Sequence, residues 1–144
     1  MPIDRYPFLK LGKNSPYRPI LYIRVTNPHT SLYIDIPGLI DTGADHCALP
    51  AGFADLLGHN LQSGQSREIS TANGVTLAYA HTCRMEIFDT ISLLNGKQKF
   101  IYTLDHTPID FMPNLHCALL GVSNFLNRFT LSLDYPKQVF SLRK

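Results

Sequence analysis

The sequence predicts an all-β fold: one mainly-β domain over residues 19–144, preceded by a short irregular arm over residues 1–18. Three observations predict it. Apolar and β-branched stretches recur from Ile20 onward, cut by turn dipeptides such as Asn27-Pro28 and Pro37-Gly38. Two Asn-Gly pairs, Asn73-Gly74 and Asn95-Gly96, sit between such stretches, and Asn-Gly supplies the positive φ angles of tight hairpins. Helical periodicity is confined to two short segments.

The arm carries Pro2, Pro7 and Pro16 and little periodicity, so no regular element is expected there. Strands are expected over 20–25 and 32–36, each ending at a turn dipeptide. Pro50 at the first helical position, an apolar face of Phe53, Leu56 and Leu57, and a stop at Gly58 predict one short helix. Ser123 as N-cap, with Phe125, Leu126 and Phe129 turned inward, predicts a second. Two strands, 130–133 and 138–142, close the chain around Tyr135-Pro136. No internal repeat or low-complexity tract interrupts this order.

Composition narrows the function classes. With 144 residues the chain is long enough to bury a core, and 44% hydrophobic against 17% charged residues is ordinary for a globular protein. A formal net charge of +2 without any basic run leaves no electrostatic footprint for nucleic acid or a membrane surface. Cys47, Cys83 and Cys117 form no CxxC pair, which predicts reduced, part-buried thiols. No secretory leader or bilayer-length apolar run is recognisable, so the expectation is a soluble cytoplasmic protein.

The stretch with chemical content is Gly38-Leu39-Ile40-Asp41-Thr42-Gly43-Ala44-Asp45. Leu39 and Ile40 anchor it in the core, and Asp41 follows directly at the strand end. Gly43 permits a backbone course and a close approach that a Cβ would forbid. The Thr42 hydroxyl can turn onto a neighbouring backbone group. Asp41 is thereby held at the lip of a core, a costly position for a carboxylate unless it is used. Taken alone, Asp-Thr-Gly also reads as a plain turn, and the apolar lead-in, Ala44 and the distant C-terminal pattern at Ala118-Leu119-Leu120-Gly121 together tip the balance.

These residues resemble the active-site segment of retropepsin-like aspartic proteases: two apolar residues, Asp-Thr-Gly-Ala, and often a second Asp. Leu49 matches the aliphatic position that follows that loop. Ala118-Leu119-Leu120-Gly121 is similar to the family's second hallmark, apolar residues and a Gly leading into a short helix. Phe125-Leu126, Phe129, Leu131 and Leu133-Asp134-Tyr135 resemble the closing helix and strands of cellular and bacterial relatives. The likeness runs from about Ile20 to Leu142. It implies the closed β-barrel of the acid-protease fold, with a flap hairpin over a cleft. The segment 69–79, turning at Asn73-Gly74, is the natural flap, although it also reads as a simple structural hairpin. In the family, flap-tip backbone groups bind substrate, which makes Asn73 and Gly74 candidate substrate-binding residues beside Ala44 and Asp45. Asp45 resembles the position that bonds the substrate backbone. Retroviral members often place Arg after the second apolar-Gly, to pair with that Asp. Here Gly121 is followed by Val122, leaving Arg128 or nothing as the partner of Asp45.

Hydrolysis by aspartate needs two neighbouring carboxylates, one taking a proton from water and one giving a proton to the carbonyl oxygen. The chain has a single Asp-Thr-Gly; Asp89-Thr90-Ile91 lacks the Gly, and no Asp-Ser-Gly occurs. Asp41, with Thr42 and Gly43, is therefore expected to act as half of a two-fold homodimer, in which Thr42 braces the two loops as in the family. The arm or the last strand, 139–142, is expected to contribute to the interface. No cofactor is implied. The resemblance leaves an alternative, a non-catalytic peptide-binding or assembly module on the same fold.

The remaining candidates are weaker. His46-Cys47 and His116-Cys117 are adjacent pairs whose side chains diverge along a strand, against a zinc site. A Cys117–His81 nucleophilic pair has no local signature. His46, beside the active loop, reads equally as a specificity-pocket residue and as an exposed loop histidine. Tyr6-Pro7 is similar to the aromatic-Pro junctions cut by retroviral enzymes, which would make the arm a substrate for self-processing; an extended Pro-rich arm is the plainer reading.

Overall fold

In chain order the strands of the computed structural model, which describes residues 3–144, are β1 (Ile3–Pro7), β2 (Leu9–Lys10), β3 (Tyr17–Arg18), β4 (Ile20–Thr26), β5 (Tyr33–Ile40), β6 (Ala48–Pro50), β7 (Gln65–Thr71), β8 (Gly74–Phe88), β9 (Phe100–Met112), β10 (Ala118–Leu120), β11 (Thr130–Asp134) and β12 (Val139–Arg143). Two helices are short, α1 (Phe53–Leu56) and α2 (Thr90–Leu94), with single 3-10 turns at Leu61–Ser63 and Leu126–Arg128. Among the described residues no helix is long and apolar enough to cross a membrane.

Strand β4 explains how the barrel closes. Ile20, Leu21, Ile23 and Val25 are buried while Tyr22, Arg24 and Thr26 are half-buried, the period-two pattern of a strand with one face on a core. One edge of β4 pairs antiparallel with β5 and the other with the end of β8, Ile23 opposite Ile87 and Thr26 opposite Arg84. The ring β4-β5-β10-β6-β9-β8 thus returns to β4. Closure leaves those strands without open edges.

Strand β8 does two jobs along its length. Its second half stays in the barrel between β9 and β4. Its first half leaves the ring and pairs with β7 to form a projecting hairpin, Gln65 opposite Ala80 through Thr71 opposite Gly74. This hairpin is the flap expected over 69–79, begun earlier. Its turn residues are Ala72 and Asn73, with the positive φ, 110°, on Gly74. The Thr71 hydroxyl ties the turn, donating to the Gly74 carbonyl at 2.8 Å and accepting from the Asn73 N–H at 3.3 Å.

The expectation of an irregular arm is corrected. β1 pairs with β12, giving a three-stranded sheet β1-β12-β11, and β2 pairs with β3. Prolines hid these strands because Pro7 lies at the end of β1 and Pro16 just before β3, where no ladder N–H is required. Ile3, Tyr6 and Phe8 share the core with Phe140, Leu142, the loop residue Phe125 and the barrel residues Leu21 and Phe111. Tyr6 meets Phe140 edge-on at 6.2 Å between centroids and donates its hydroxyl hydrogen to Asp89. The Tyr6-Pro7 bond lies inside this sheet, so self-cleavage there would require β1 to leave it.

Other departures have local causes. Pro50 ends β6, and α1 starts only after Gly52; Gly58, with φ 79°, does stop it. The helix expected from Ser123 contracts to the turn Leu126–Arg128, because Asn124, directly after the expected cap, takes a left-handed φ of 67°. Asn95-Gly96 is no hairpin. It terminates α2, a helix with no amphipathic signature, and Gly96 carries the positive φ of 76° expected after a helix end.

Candidate active site

Asp41 stands at the barrel end of β5, and its position is built by β10. The two strands run parallel, Ala118, Leu119 and Leu120 beside Gly38, Leu39 and Ile40. Gly38 lets them close up, since a β-carbon there would lie 3.1 Å from the Leu120 side chain and 3.3 Å from the Leu21 carbonyl. One residue on, the Asp41 N–H donates to the Leu120 carbonyl at 3.1 Å. The chain then turns: Gly43 N–H donates to Asp41 Oδ1 at 2.9 Å and Ala44 N–H to the Asp41 carbonyl at 3.2 Å. Such Asx-type bonding fixes the carboxylate through one oxygen. Oδ2 has no partner among the described residues.

Gly121 holds the loop from the other side. A β-carbon there would sit 2.4 Å from the His46 carbonyl oxygen and 2.7 Å from that of Ala44. The same close approach lets Val122 N–H donate to Ala44 at 2.9 Å and Ser123 N–H to Asp45 at 2.7 Å. The two hallmark segments are therefore laced by backbone bonds. Gly43 has no positive φ; what it supplies is room, for its β-carbon would meet Asp41 Oδ1 at 3.3 Å. The Thr42 hydroxyl does not bond to the neighbouring backbone. It is exposed and makes no hydrogen bond among the described residues.

A cleft of about 600 Å³ opens beside Asp41, under the flap. Ala44, Asp45 and His46 form its rim, Ala48, Met112 and Leu119 its apolar floor, and flap residues from Arg67 to Ala72 its roof. Thr71 and Ala72 reach the cleft; Asn73 and Gly74, at the exposed tip, do not line it. Asp45 is exposed and forms no ion pair among the described residues. Arg128 is occupied elsewhere, donating to the Tyr102 hydroxyl at 3.2 Å.

Sequence reading missed Arg67 and Asp110. Asp110 is 2% exposed, yet borders the cleft. Arg67 donates to its Oδ1 from Nε at 3.0 Å and from Nη2 at 2.6 Å, and from Nη1 to His46 Nε2 at 2.8 Å. Guanidinium nitrogens only donate, so His46 Nε2 is the acceptor. The link is indirect in sequence: Arg67 on β7 lies opposite Ala78, Asp110 on β9 opposite Ala80, and all four side chains share one face of the sheet. Two alanines on β8 leave the lane through which the arginine reaches. His46 alone of this trio was a sequence candidate.

Asp41 also borders a second recess on the far side of its loop. Thr42 lines it too, together with Tyr17, Arg18, Pro19, Leu39, Leu133 and Tyr135. Tyr17, Leu133 and Tyr135 are exposed large apolar residues concentrated around the candidate acid. Strand β12, by contrast, has both edges filled by β1 and β11, so no backbone ladder is left on 139–142 for another chain.

Among the described residues no group of three or more His, Cys, Asp or Glu is arranged to hold a metal ion. The three cysteines are buried and unpaired, and none borders the cleft. Burial pushes the Cys47 thiol up to about 11 and the Cys83 thiol up to about 12, the reverse of what a thiolate nucleophile needs. Asp41 is the residue of this site whose position invites chemistry.

No family model and no curated protein matches the chain. Among solved structures it is similar to a retropepsin-like aspartic protease from Rickettsia conorii, with 23% identity and a TM-score of 0.54, over 97% of this chain and 99% of that one. Barrel, projecting flap and end-to-end correspondence together give this chain the all-β retropepsin-like fold.

Proposed function

We propose that the chain is one subunit of a homodimeric aspartic endopeptidase, with Asp41 of two copies forming the catalytic pair. One observation carries this reading: the Asp41 carboxylate, fixed through Oδ1 with Oδ2 unengaged among the described residues, borders both the flap-covered cleft and the recess that Thr42 also lines. A substrate on one side and a second copy on the other would both reach it.

The chemistry requires that second copy. Two carboxylates about 3 Å apart cannot both ionise, so a single proton is shared and one group is base while the other is acid. The ionised carboxylate takes a proton from water as its oxygen bonds to the peptide carbonyl carbon. The protonated one gives its hydrogen to the carbonyl oxygen. In the collapse of the tetrahedral diol the C–N bond breaks, the carboxyl that took the water proton passes it to the leaving nitrogen, and a diol hydroxyl returns its hydrogen to the other carboxylate. Asp110 is no substitute partner, because Arg67 occupies it through two charge-assisted bonds. The flap offers an extended peptide strand-like pairing.

Incubation with an unbiased peptide library, read by mass spectrometry across protein concentration and pH, tests the reading. Cleavage should rise with dimer concentration, pass through a maximum in pH, and vanish in Asp41→Asn protein of unchanged sedimentation. Retained cleavage in Asp41→Asn, or a protein that stays monomeric at high concentration, would sink it.

A further inference from the structure

We propose that Arg67, Asp110 and His46 form a specificity subsite of the cleft that selects a substrate side chain ending in a carboxamide, asparagine or glutamine. The inference deepens the peptidase reading and rests on it for the identity of the ligand as a peptide.

The wall of this subsite is built rather than incidental. Asp110 is 2% exposed, and both hydrogen bonds to its carboxylate land on Oδ1. Oδ2 accepts none among the described residues, and Asp110 borders the cleft. Oδ2 is not among the fully buried polar atoms that lack a partner, so it stays accessible at the cleft and can accept a hydrogen from a ligand. Beside it, Arg67 has five N–H donors, of which three are used: Nε and Nη2 on Asp110, Nη1 on His46. One hydrogen on each terminal nitrogen remains, and the Arg67 side chain is 36% exposed. An acceptor on the wall and a donor next to it match a carboxamide, which carries one of each in a plane.

Charge narrows the choice. Arg67 and Asp110 neutralise each other, so a fully charged side chain at this point meets a like charge in one of them. A carboxylate is further opposed by Asp45, which also borders the cleft. A lysine is welcome elsewhere along that acidic rim but faces the guanidinium here. Aliphatic side chains fit the floor of Ala48, Met112 and Leu119 but would strand the polar wall. Sites built to hydrogen-bond their ligand reject isosteres that lack the matching group.

The test separates this proposal from the peptidase reading by measuring binding in Asp41→Asn protein. Fluorescein-labelled octapeptides carrying Gln, Asn, Leu, Met, Glu or Lys in turn at each position serve as the probe, read by anisotropy. At one position Gln and Asn should bind about tenfold more tightly than Leu. Arg67→Met combined with Asp110→Leu removes both charges together, avoiding a lone buried ion, and should invert that preference toward Leu and Met. Arg67→Lys keeps the charge but not the planar fork, and should bring the Gln-to-Leu ratio toward unity even if the double variant folds poorly. Equal binding of Gln and Leu, a preference for Lys or Glu at that position, or a wild-type profile in both variants overturns the proposal. Selective binding without any cleavage by the native protein would overturn the peptidase reading alone, whereas failure to bind any peptide overturns both.

Discussion

The main-chain N–H of Asp41 donates to the carbonyl oxygen of Leu120 at 3.1 Å, so the candidate acid is oriented by a residue 79 positions away that never enters the cleft. The next residue, Gly121, makes that contact possible. Its hydrogen faces the carbonyls of His46 and Ala44 at distances no methyl group could occupy.

Gly121→Ala is therefore expected to push β10 off the active loop. Overpacking of this kind costs about 1–3 kcal/mol, and the Asp41 carboxylate would lose its setting as well. Urea denaturation and peptide cleavage should both fall. Gly52→Ala is the control: nothing lies within 4 Å of its β-carbon position and its φ is −62°. It should shift stability by less than about 1 kcal/mol.

Tyr6 and Asp89 join the arm to the start of α2. Burial first, and then the Asp89 carboxylate, hold the Tyr6 phenol well above its usual range. The Tyr6 hydrogen bond holds Asp89 below the ordinary carboxylate range. A depressed carboxylate stabilises the fold above its unfolded value, and that contribution disappears as pH drops through the lower folded value. Tyr6→Phe should cost about 1 kcal/mol near pH 7, after allowing for the exposure of Asp89. The gap in urea midpoint between the two proteins should narrow in acid. A gap constant with pH would show that the tyrosine acts through packing alone.

What the sequence made legible follows the range of the interactions. The Asp41 loop was readable because Leu39, Ile40, Thr42 and Gly43 are its immediate neighbours and set its turn directly. The flap was readable from Asn73-Gly74, although the positive φ falls on Gly74 alone and the turn centres one residue earlier. The arm was not, since β1 exists only through its pairing with β12 at the opposite chain end. Nor was the Arg67–Asp110 pair, whose members lie 43 residues apart and meet across two alanines of a third strand. Ser123 was misread because the next residue, Asn124, takes a left-handed φ of 67° and so cannot open a helix.

The recess beside Thr42 gives the proposed assembly an address. Leu133→Asp places a charge among Tyr17, Tyr135 and Pro19, on a side chain that is 37% exposed, so the isolated chain should fold normally. If a second copy docks there, the concentration giving half-maximal specific activity should rise about tenfold or more. Sedimentation should show the matching shift toward monomer. Equal activity of both proteins on dilution would mean that assembly uses another face.

His59 supplies a pH dependence that is independent of catalysis. Its ring lies 4.5 Å from that of His81 and edge-on to Phe111 at 5.5 Å, with Nε2 3.4 Å from Cys83 Sγ. Burial first, then His81 and His29, lower its proton affinity below the ordinary imidazole range. The unfolded chain consequently binds a proton before the folded one does. Stability should fall as pH drops below about 6.5 and keep falling until the folded ring also protonates. One proton can contribute at most about 1.4 kcal/mol per pH unit, and the ring's partial exposure keeps the effect below that bound. His59→Gln removes the titration, so its melting temperature should vary less between pH 7 and pH 5 than that of the native chain. His59 does not border the cleft, so the acid limb of the peptide-cleavage profile should stay where it is in the variant. A limb that moved with His59→Gln would mean that loss of fold, rather than titration of the Asp41 pair, ends activity in acid.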